Sequence, residues 1–501
     1  MMSEKNSEKS ETQTKDQNVK SKDKKPSFEE KLVETKHSIK LNGKKVSYTA
    51  VAGTIVIHDE EDKKVPQPKG EIFYIAYTVN DPKSKKARPI TFSFNGGPGS
   101  SSVWMHLGLL GPRRVPINDD NNEMIRPPYK VEDNEFSILD QTDLVFIDPV
   151  GTGLSRAVEG EEGKQFWNFT KDIESVGEFI RIYTTRHQRW SSPKFLIGES
   201  YGTTRAAGLS GYLQQRHGMF LNGIMLISVI LNFQTARFEP GNDLPYPLFL
   251  PTYAATAWYH KKLQDPYQSM PIDEFLTEVA DFAESEYTLA LMRGAKLADS
   301  ERNFVIQRLA AYTGLSPIYL EQTNMRINIH RFCRELLRDE AKSVGRLDSR
   351  LTSYNRDEAG ETNEFDPAFP IITGVYSGSL NQYLREELEF ESDLPYEILS
   401  FKVFPSWKYT KFMNSYVNTA ETLRSAMTQN PHLRVFVANG YYDLATPFFA
   451  TEYTMNHLGL KEHLMSNITM SYYEAGHMMY IHPPSLAKLK GDLVAFLAEA
   501  A

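Results

Sequence analysis

The stretch Gly198-Glu199-Ser200-Tyr201-Gly202 constrains this chain more than any other. Before it comes Lys194-Phe195-Leu196-Ile197, a short apolar run that reads as a buried strand. After it comes Thr203 to Gln215, where Ala206, Ala207, Leu209 and Leu213 recur at helical spacing. A strand running through Gly-x-Ser-x-Gly into a helix is the context of a nucleophile elbow. Small residues let the turn close, and the serine then stands at the carboxyl end of a sheet. The helix N-terminus beside it offers free N–H groups to developing negative charge. The pentapeptide alone occurs by chance, so the rest of the chain decides what it means.

The surrounding texture alternates strand and helix. Lys45 to His58 reads as a strand, a kink at Gly53 and a second strand, and Glu71 to Val79 as another. These form an antiparallel edge. Pro89 to Phe94, Asp143 to Asp148 and Ile224 to Leu231 read as buried strands, with a helix over Phe166 to Arg189. Strands return at Leu433 to Ala438 and Ile468 to Tyr473, with helices over Phe448 to Leu458 and Ser485 to Ala498. The pattern predicts an α/β fold whose mostly parallel sheet is covered on both faces. Between them helices dominate: Thr252 to Leu263, Ile272 to Met292, Ser300 to Tyr312, Ile327 to Leu337 and Gly378 to Leu388. The chain thus divides into a polar tail (1–27), a first core part (28–231), a helical lid insertion (232–404) and a second core part (405–501). Replacing such a lid is expected to alter side-chain preference more than triad geometry.

Composition removes several function classes. With 501 residues, 41% of them hydrophobic, the chain can bury a large core without staples. A formal net charge of -8 and no basic stripe argue against nucleic acid as a partner. Cys333 is the one cysteine, so no intramolecular disulfide forms, and its helical setting reads as packing rather than as a nucleophile. No apolar run is long enough to span a bilayer. Residues 1–27 carry Lys, Glu, Ser and Asp with almost no apolar side chain, which predicts disorder. They hold no apolar h-region, so the cytoplasm is the default expectation, and the periplasm or exterior if an export signal has been removed.

A serine hydroxyl needs a base, and the base needs a carboxylate to hold one tautomer. In this architecture the order along the chain is Ser, acid, His. Asp443 follows the strand Leu433 to Ala438, and His477 follows the last strand. Competing histidines are His457, inside a helix, and His482, beside Pro483. Ser200, Asp443 and His477 are therefore the expected triad. An oxyanion needs backbone N–H donors: one from Tyr201, just past the nucleophile, and one from Gly97, in the Gly-rich loop after an earlier strand.

Five motifs then occur in order: Asn95-Gly96-Gly97-Pro98-Gly99-x-Ser101-Ser102; Leu107-Gly108-x-x-Gly111-Pro112; Asp148-x-Pro-Val-Gly151-x-Gly153-x-Ser155; the Ser200 elbow; and Gly476-His477-Met478. Together they resemble the serine carboxypeptidase family (peptidase family S10). The resemblance implies an α/β-hydrolase fold with no metal or other cofactor. It implies peptides with a free C-terminus as substrates, shortened one residue at a time, and a homodimer is allowed. It also implies that Asn95, Gly96 and Glu199 hold the substrate's terminal carboxylate. Physically this works: an amide donates to a carboxylate, and Glu199 donates while it keeps its proton. Three departures stand out. Ser100 occupies a usual cysteine position, Ser93-Phe94 replaces a tryptophan before the Gly-Gly turn, and Leu109 stands where many relatives place a second acid. An acyltransferase or esterase on the same triad, a proline-releasing aminopeptidase, and a binding protein on a retired hydrolase fold are the competing readings. The Asn95 and Glu199 context speaks against the aminopeptidase, and the complete set of motifs against the retired fold.

Overall fold

A computed structural model describes residues 30–59, 67–80, 88–117 and 125–501 of the protein. The expected polar tail over 1–27 lies outside the described residues. Nine strands follow one another across one sheet: β1 (Leu32–Leu41), β2 (Lys44–Asp59), β3 (Gln67–Val79), β4 (Ile90–Phe94), β5 (Asp143–Ile147), β6 (Lys194–Ser200), β7 (Gly223–Val229), β8 (Arg434–Gly440) and β9 (Ile468–Tyr473). Their spatial order is β1-β2-β3-β5-β4-β6-β7-β8-β9, and the short strand Arg156–Ala157 pairs with β3 off this path. The β1, β2 and β3 pairings are antiparallel, as is β3 with β5. From β5 through β9 every pairing is parallel. The long apolar runs of β4 to β7 match this, since each is buried along its length apart from the half-buried Ser200.

Strand alternation divides the core. On β3, Phe73, Ile75 and Tyr77 face one layer, and Ile72, Tyr74 and Ala76 face the other. The second layer is closed by α1 (Phe169–Arg186) and α2 (Tyr201–His217), through Val176, Phe179, Leu209 and Leu213. The first is closed by α3 (Ala368–Glu386) and α4 (Pro483–Ala500), through Val375, Leu380, Leu489 and Leu493. After β4 the chain goes to β5 on one side, while β6 lies on the other. The loops leaving β4 and β6 therefore part at a topological switch point, where a crevice opens at the carboxyl ends of the strands. This is the α/β-hydrolase fold.

Three local expectations change. The strand does not kink at Gly53. β2 runs unbroken, with Gly53 paired to Leu32 and to Tyr74. The missing side chain admits the Lys31 carbonyl, which would lie 2.9 Å from a Cβ. The helix expected over Thr252 to Leu263 runs from Pro245 to Tyr259. Pro245 and Pro247 sit in its first turn, where an N–H has no intrahelical partner anyway, so they open the helix rather than exclude it. The helix expected to start at Gly378 begins ten residues earlier and passes through Gly374 and Gly378, which pack against the Tyr129 ring.

The segment between β7 and β8 is mainly helical and has a core of its own, in which Tyr253 stacks on Phe332 at 4.1 Å. Two of its parts leave that core. One is α3. The other is the loop of a hairpin of Lys342–Val344 with Thr352–Tyr354; Val344 stays in that core, and the loop reaches the carboxyl ends of β8 and β9.

Candidate active site

The elbow is as tight as the sequence requires. Ser200 closes β6 with φ 59° and ψ −128°, a left-handed conformation that costs a non-glycine residue about 1–3 kcal/mol. Side chains on its flanks are excluded. A Cβ at position 198 would fall 2.2 Å from the Gly202 carbonyl oxygen, and one at position 202 would fall 2.8 Å from that of Phe94.

Asp443 and His477 meet at the ends of β8 and β9. His477 Nδ1 donates to Asp443 Oδ2 at 2.7 Å, leaving Nε2 as the basic nitrogen. Asp443 is fully buried and accepts further bonds from the N–H groups of Ala445 and Thr446, at 2.8 and 3.0 Å, and from the Thr446 hydroxyl at 2.6 Å. Burial works against the imidazolium, but the Asp443 carboxylate outweighs it, so His477 titrates above the ordinary histidine range. The backbone of His477 is pinned from both sides. Its N–H donates to the Leu347 carbonyl at 2.6 Å, and its carbonyl accepts from the Ser228 hydroxyl at 2.6 Å.

The Gly96-Gly97 loop lies against the start of α2. A Cβ on Gly96 would stand 2.5 Å from the Tyr201 nitrogen, so glycine keeps that N–H accessible. Among the described residues, neither the Gly97 nor the Tyr201 N–H donates to a loop or turn carbonyl. The first N–H groups of a helix have no intrahelical acceptor either. Beside this loop the Asn95 amide donates to Glu199 Oε1 at 3.0 Å, while Asn95 Oδ1 accepts from the Met105 N–H at 3.1 Å. Burial pushes the Glu199 carboxyl up to about 7, against the pull of His477, Tyr480 and Asn95. The buried Tyr480 hydroxyl also faces this pair and bonds to both Glu199 and Asn95. A neutral Glu199 at near-neutral pH is therefore a donor.

A profile of the serine carboxypeptidase family matches residues 63–481. The chain belongs to the serine carboxypeptidase family. It is similar to the pheromone-processing carboxypeptidase KEX1 of Saccharomyces cerevisiae, 34% identical over 157 residues, which is 30% of this chain and 20% of that protein. This match spans about a fifth of the relative's length. It is similar over a longer stretch to serine carboxypeptidase-like 34 of Arabidopsis thaliana, at 23% identity across 83% of this chain and 76% of the relative. The crystal structure of a prohormone-processing carboxypeptidase from Saccharomyces cerevisiae shares the fold, with a TM-score of 0.55 and 17% identity over 89% of this chain and 91% of that one.

Every site residue named from the sequence lies at the carboxyl end of the parallel strands or in the loops that leave them. His457 and His482 do not. His457 ends a helix and bonds the Tyr453 carbonyl; His482 precedes α4 and bonds the Ser485 hydroxyl. Leu109, at the family's second-acid position, is fully buried in the apolar core. Sequence reasoning missed Thr446, Ser228, Tyr480 and the hairpin loop around Leu347. Thr446 had a local signal, a hydroxyl three residues after the acid. The hairpin had none, because its partners are about a hundred residues further along the chain. Among the described residues no helix is long and apolar enough to cross a membrane, and no His, Cys, Asp or Glu cluster could hold a metal ion. The Cys333 thiol is buried, which pushes its pKa far up and makes it a poor nucleophile.

Proposed function

We propose that this protein is a serine carboxypeptidase that releases C-terminal residues from peptides, with Ser200 as nucleophile, His477 as base and Asp443 as its orienting acid. The observation that carries the reading is the buried Asn95–Glu199 pair beside the elbow, 3.0 Å apart, with a carboxyl that keeps its proton up to about pH 7. Asn95, the Gly96 backbone and protonated Glu199 offer donors to a terminal carboxylate, and no internal peptide bond presents one. With the carboxylate held there, the last peptide carbonyl comes to Ser200. Oγ attacks that carbon as its proton passes to His477 Nε2. The oxyanion is met by the N–H groups of Gly97 and Tyr201. As the intermediate collapses, the C–N bond breaks and His477 hands the proton to the departing amine. Water then repeats the sequence on the acyl-enzyme, freeing the shortened peptide and restoring the Ser200 hydroxyl.

The helical segment over 232–404 supplies the side-chain-selecting wall of this reading, because it rises from the same end of the sheet as the triad loops. The test compares hydrolysis of an N-blocked dipeptide with that of its C-terminal amide. Release of the C-terminal amino acid from the free acid, loss of that release in Ser200→Ala, and slow turnover of the amide are expected. Equal turnover of acid and amide would discard the carboxylate clamp. Transfer of the acyl group to an added alcohol in preference to water would favour an acyltransferase.

A further inference from the structure

Behind the oxyanion loop lies a buried cation that the triad does not use. Arg205 stands one helical turn beyond Tyr201 on α2, and its side chain is 1% exposed. Its Nε donates to both oxygens of Asp172 on α1, at 3.1 and 2.8 Å. Its Nη1 donates to the backbone carbonyl of Asn95 at 2.6 Å. The Tyr201 hydroxyl donates to the same Asp172 at 3.3 Å. The guanidinium also lies over the rings of Phe94 and Tyr201, 5.3 Å from each centroid. One charge thus touches the end of β4, the first turn of α2 and, through Asp172, α1.

The position of these contacts is informative. The Asn95 carbonyl belongs to the peptide unit that leads into Gly96 and Gly97. Tyr201 carries the other oxyanion N–H on its own backbone. Taking two ions out of water costs several kcal/mol each, and an apolar pair of similar volume would hold helices together at least as well. What an apolar pair lacks is a planar fork with fixed donor directions, able to grip a carboxylate and a carbonyl at once.

We propose that Arg205 and Asp172 are positioning residues for the oxyanion hole. They set the distance between the Gly97 and Tyr201 N–H groups by gripping the loop through Asn95 and the helix through the Tyr201 side chain. The inference rests on the assignment of Ser200 as nucleophile and of those two donors. Loss of a whole oxyanion donor costs about 10²–10³ in turnover, so a displaced donor should cost roughly 10- to 100-fold.

The test uses the full chain, with active sites counted by fluorophosphonate labelling. Turnover of a chromogenic ester and binding of a boronate that mimics the tetrahedral intermediate are then measured. Arg205→Lys keeps the charge and loses the fork; Tyr201→Phe removes only the hydroxyl tether; Asp172→Leu with Arg205→Met replaces the pair by apolar groups. Expected for Arg205→Lys and the apolar double variant is a kcat per labelled site lower by about 10- to 100-fold, with KM within about three-fold. Boronate affinity should fall by the same factor as kcat. Tyr201→Phe should lose several-fold by the same measures. The double variant should melt no lower than wild type. A merely structural role would lower the number of labelled sites and leave kcat per site unchanged, and that result in the folded variants would overturn the proposal. Should Arg205→Lys fail to fold, Tyr201→Phe and the double variant decide alone. A wild type that does not label, or a Ser200→Ala variant that does, would overturn the nucleophile assignment itself.

Discussion

Glu199 and His477 are electrostatic neighbours, and both hold their protons longer than usual. His477 must lose its proton to act as a base, so the acid limb of kcat/KM should lie above the ordinary histidine value of about 6.5. Glu199→Gln removes the charge that Glu199 gains as it titrates in the same range, and should move that limb to lower pH. Above about pH 7 Glu199 ionises beside the substrate carboxylate, so KM should rise for a free acid and stay flat for its amide. Glu199→Gln should flatten the rise; identical KM profiles for acid and amide in both proteins would count against the clamp. Stability carries the same sign. The folded-state pKa of Glu199 is raised from 4.5 to about 7, so its contribution is fully present below the unfolded value and is lost as pH rises through about 7. The loss is about 3 kcal/mol for wild type and none for Glu199→Gln. Urea unfolding of both proteins near pH 4 and pH 8 checks this, and a constant difference between them would contradict it. At the triad itself, Ser200→Ala and His477→Ala should each lower turnover by about four orders of magnitude or more without unfolding the protein. His482→Ala should keep activity, because that ring bonds the Ser485 hydroxyl at the start of α4; its loss in His482→Ala alone would reassign the base.

At the scale of elements, the hairpin loop around Leu347 changes what the inserted segment does. Arg346 and Ser349 exchange backbone bonds with the Asp443 loop, through Leu444 and Tyr442, at 3.1 and 3.0 Å. Leu347 and Asp348 take the N–H groups of His477 and Gly476, at 2.6 and 3.2 Å. Asp348 is in turn held by Arg350 at 2.7 Å, a pair 3% and 8% exposed. The hairpin is thus a brace between acid and base, added to the direct bonds of Tyr441 and Tyr442 N–H to the Tyr473 and Ala475 carbonyls, at 2.9 and 3.0 Å. Asp348→Ala would remove the buried carboxylate that Arg350 holds and free the Gly476 N–H. It should cost about 3 kcal/mol of stability and lower kcat in the fraction that stays folded. Denaturant titration with kcat measured per labelled site tests this; an unchanged kcat would reduce the brace to a packing contact.

For the whole molecule, two parts of 232–404 reach the catalytic loops, and its outer helices are the parts whose exchange should bear on side-chain preference. The segment contains the brace and also α3, whose Tyr376 packs on Trp104 at 5.1 Å beneath the oxyanion turn. Replacing all of it with a short linker should abolish fluorophosphonate labelling, whereas changes confined to its outer helices should shift substrate preference. Labelling at the wild-type rate after full replacement would show that the core keeps its site unaided. Read alone, the sequence determined the parallel sheet, the elbow, the chain order of Ser200, Asp443 and His477, and the glycine loop beside them. Each of these is written in a short window: an apolar run, a turn that tolerates only small residues, a motif at a strand end. Tertiary structure alone decided the brace at Asp348, the Ser228 bond to His477, the Arg205–Asp172 grip, and the burial that keeps the proton on Glu199. These depend on residues brought together from distant parts of the chain and on a local dielectric that exists only once the core has closed, and neither has a period or spacing that a linear reading can detect.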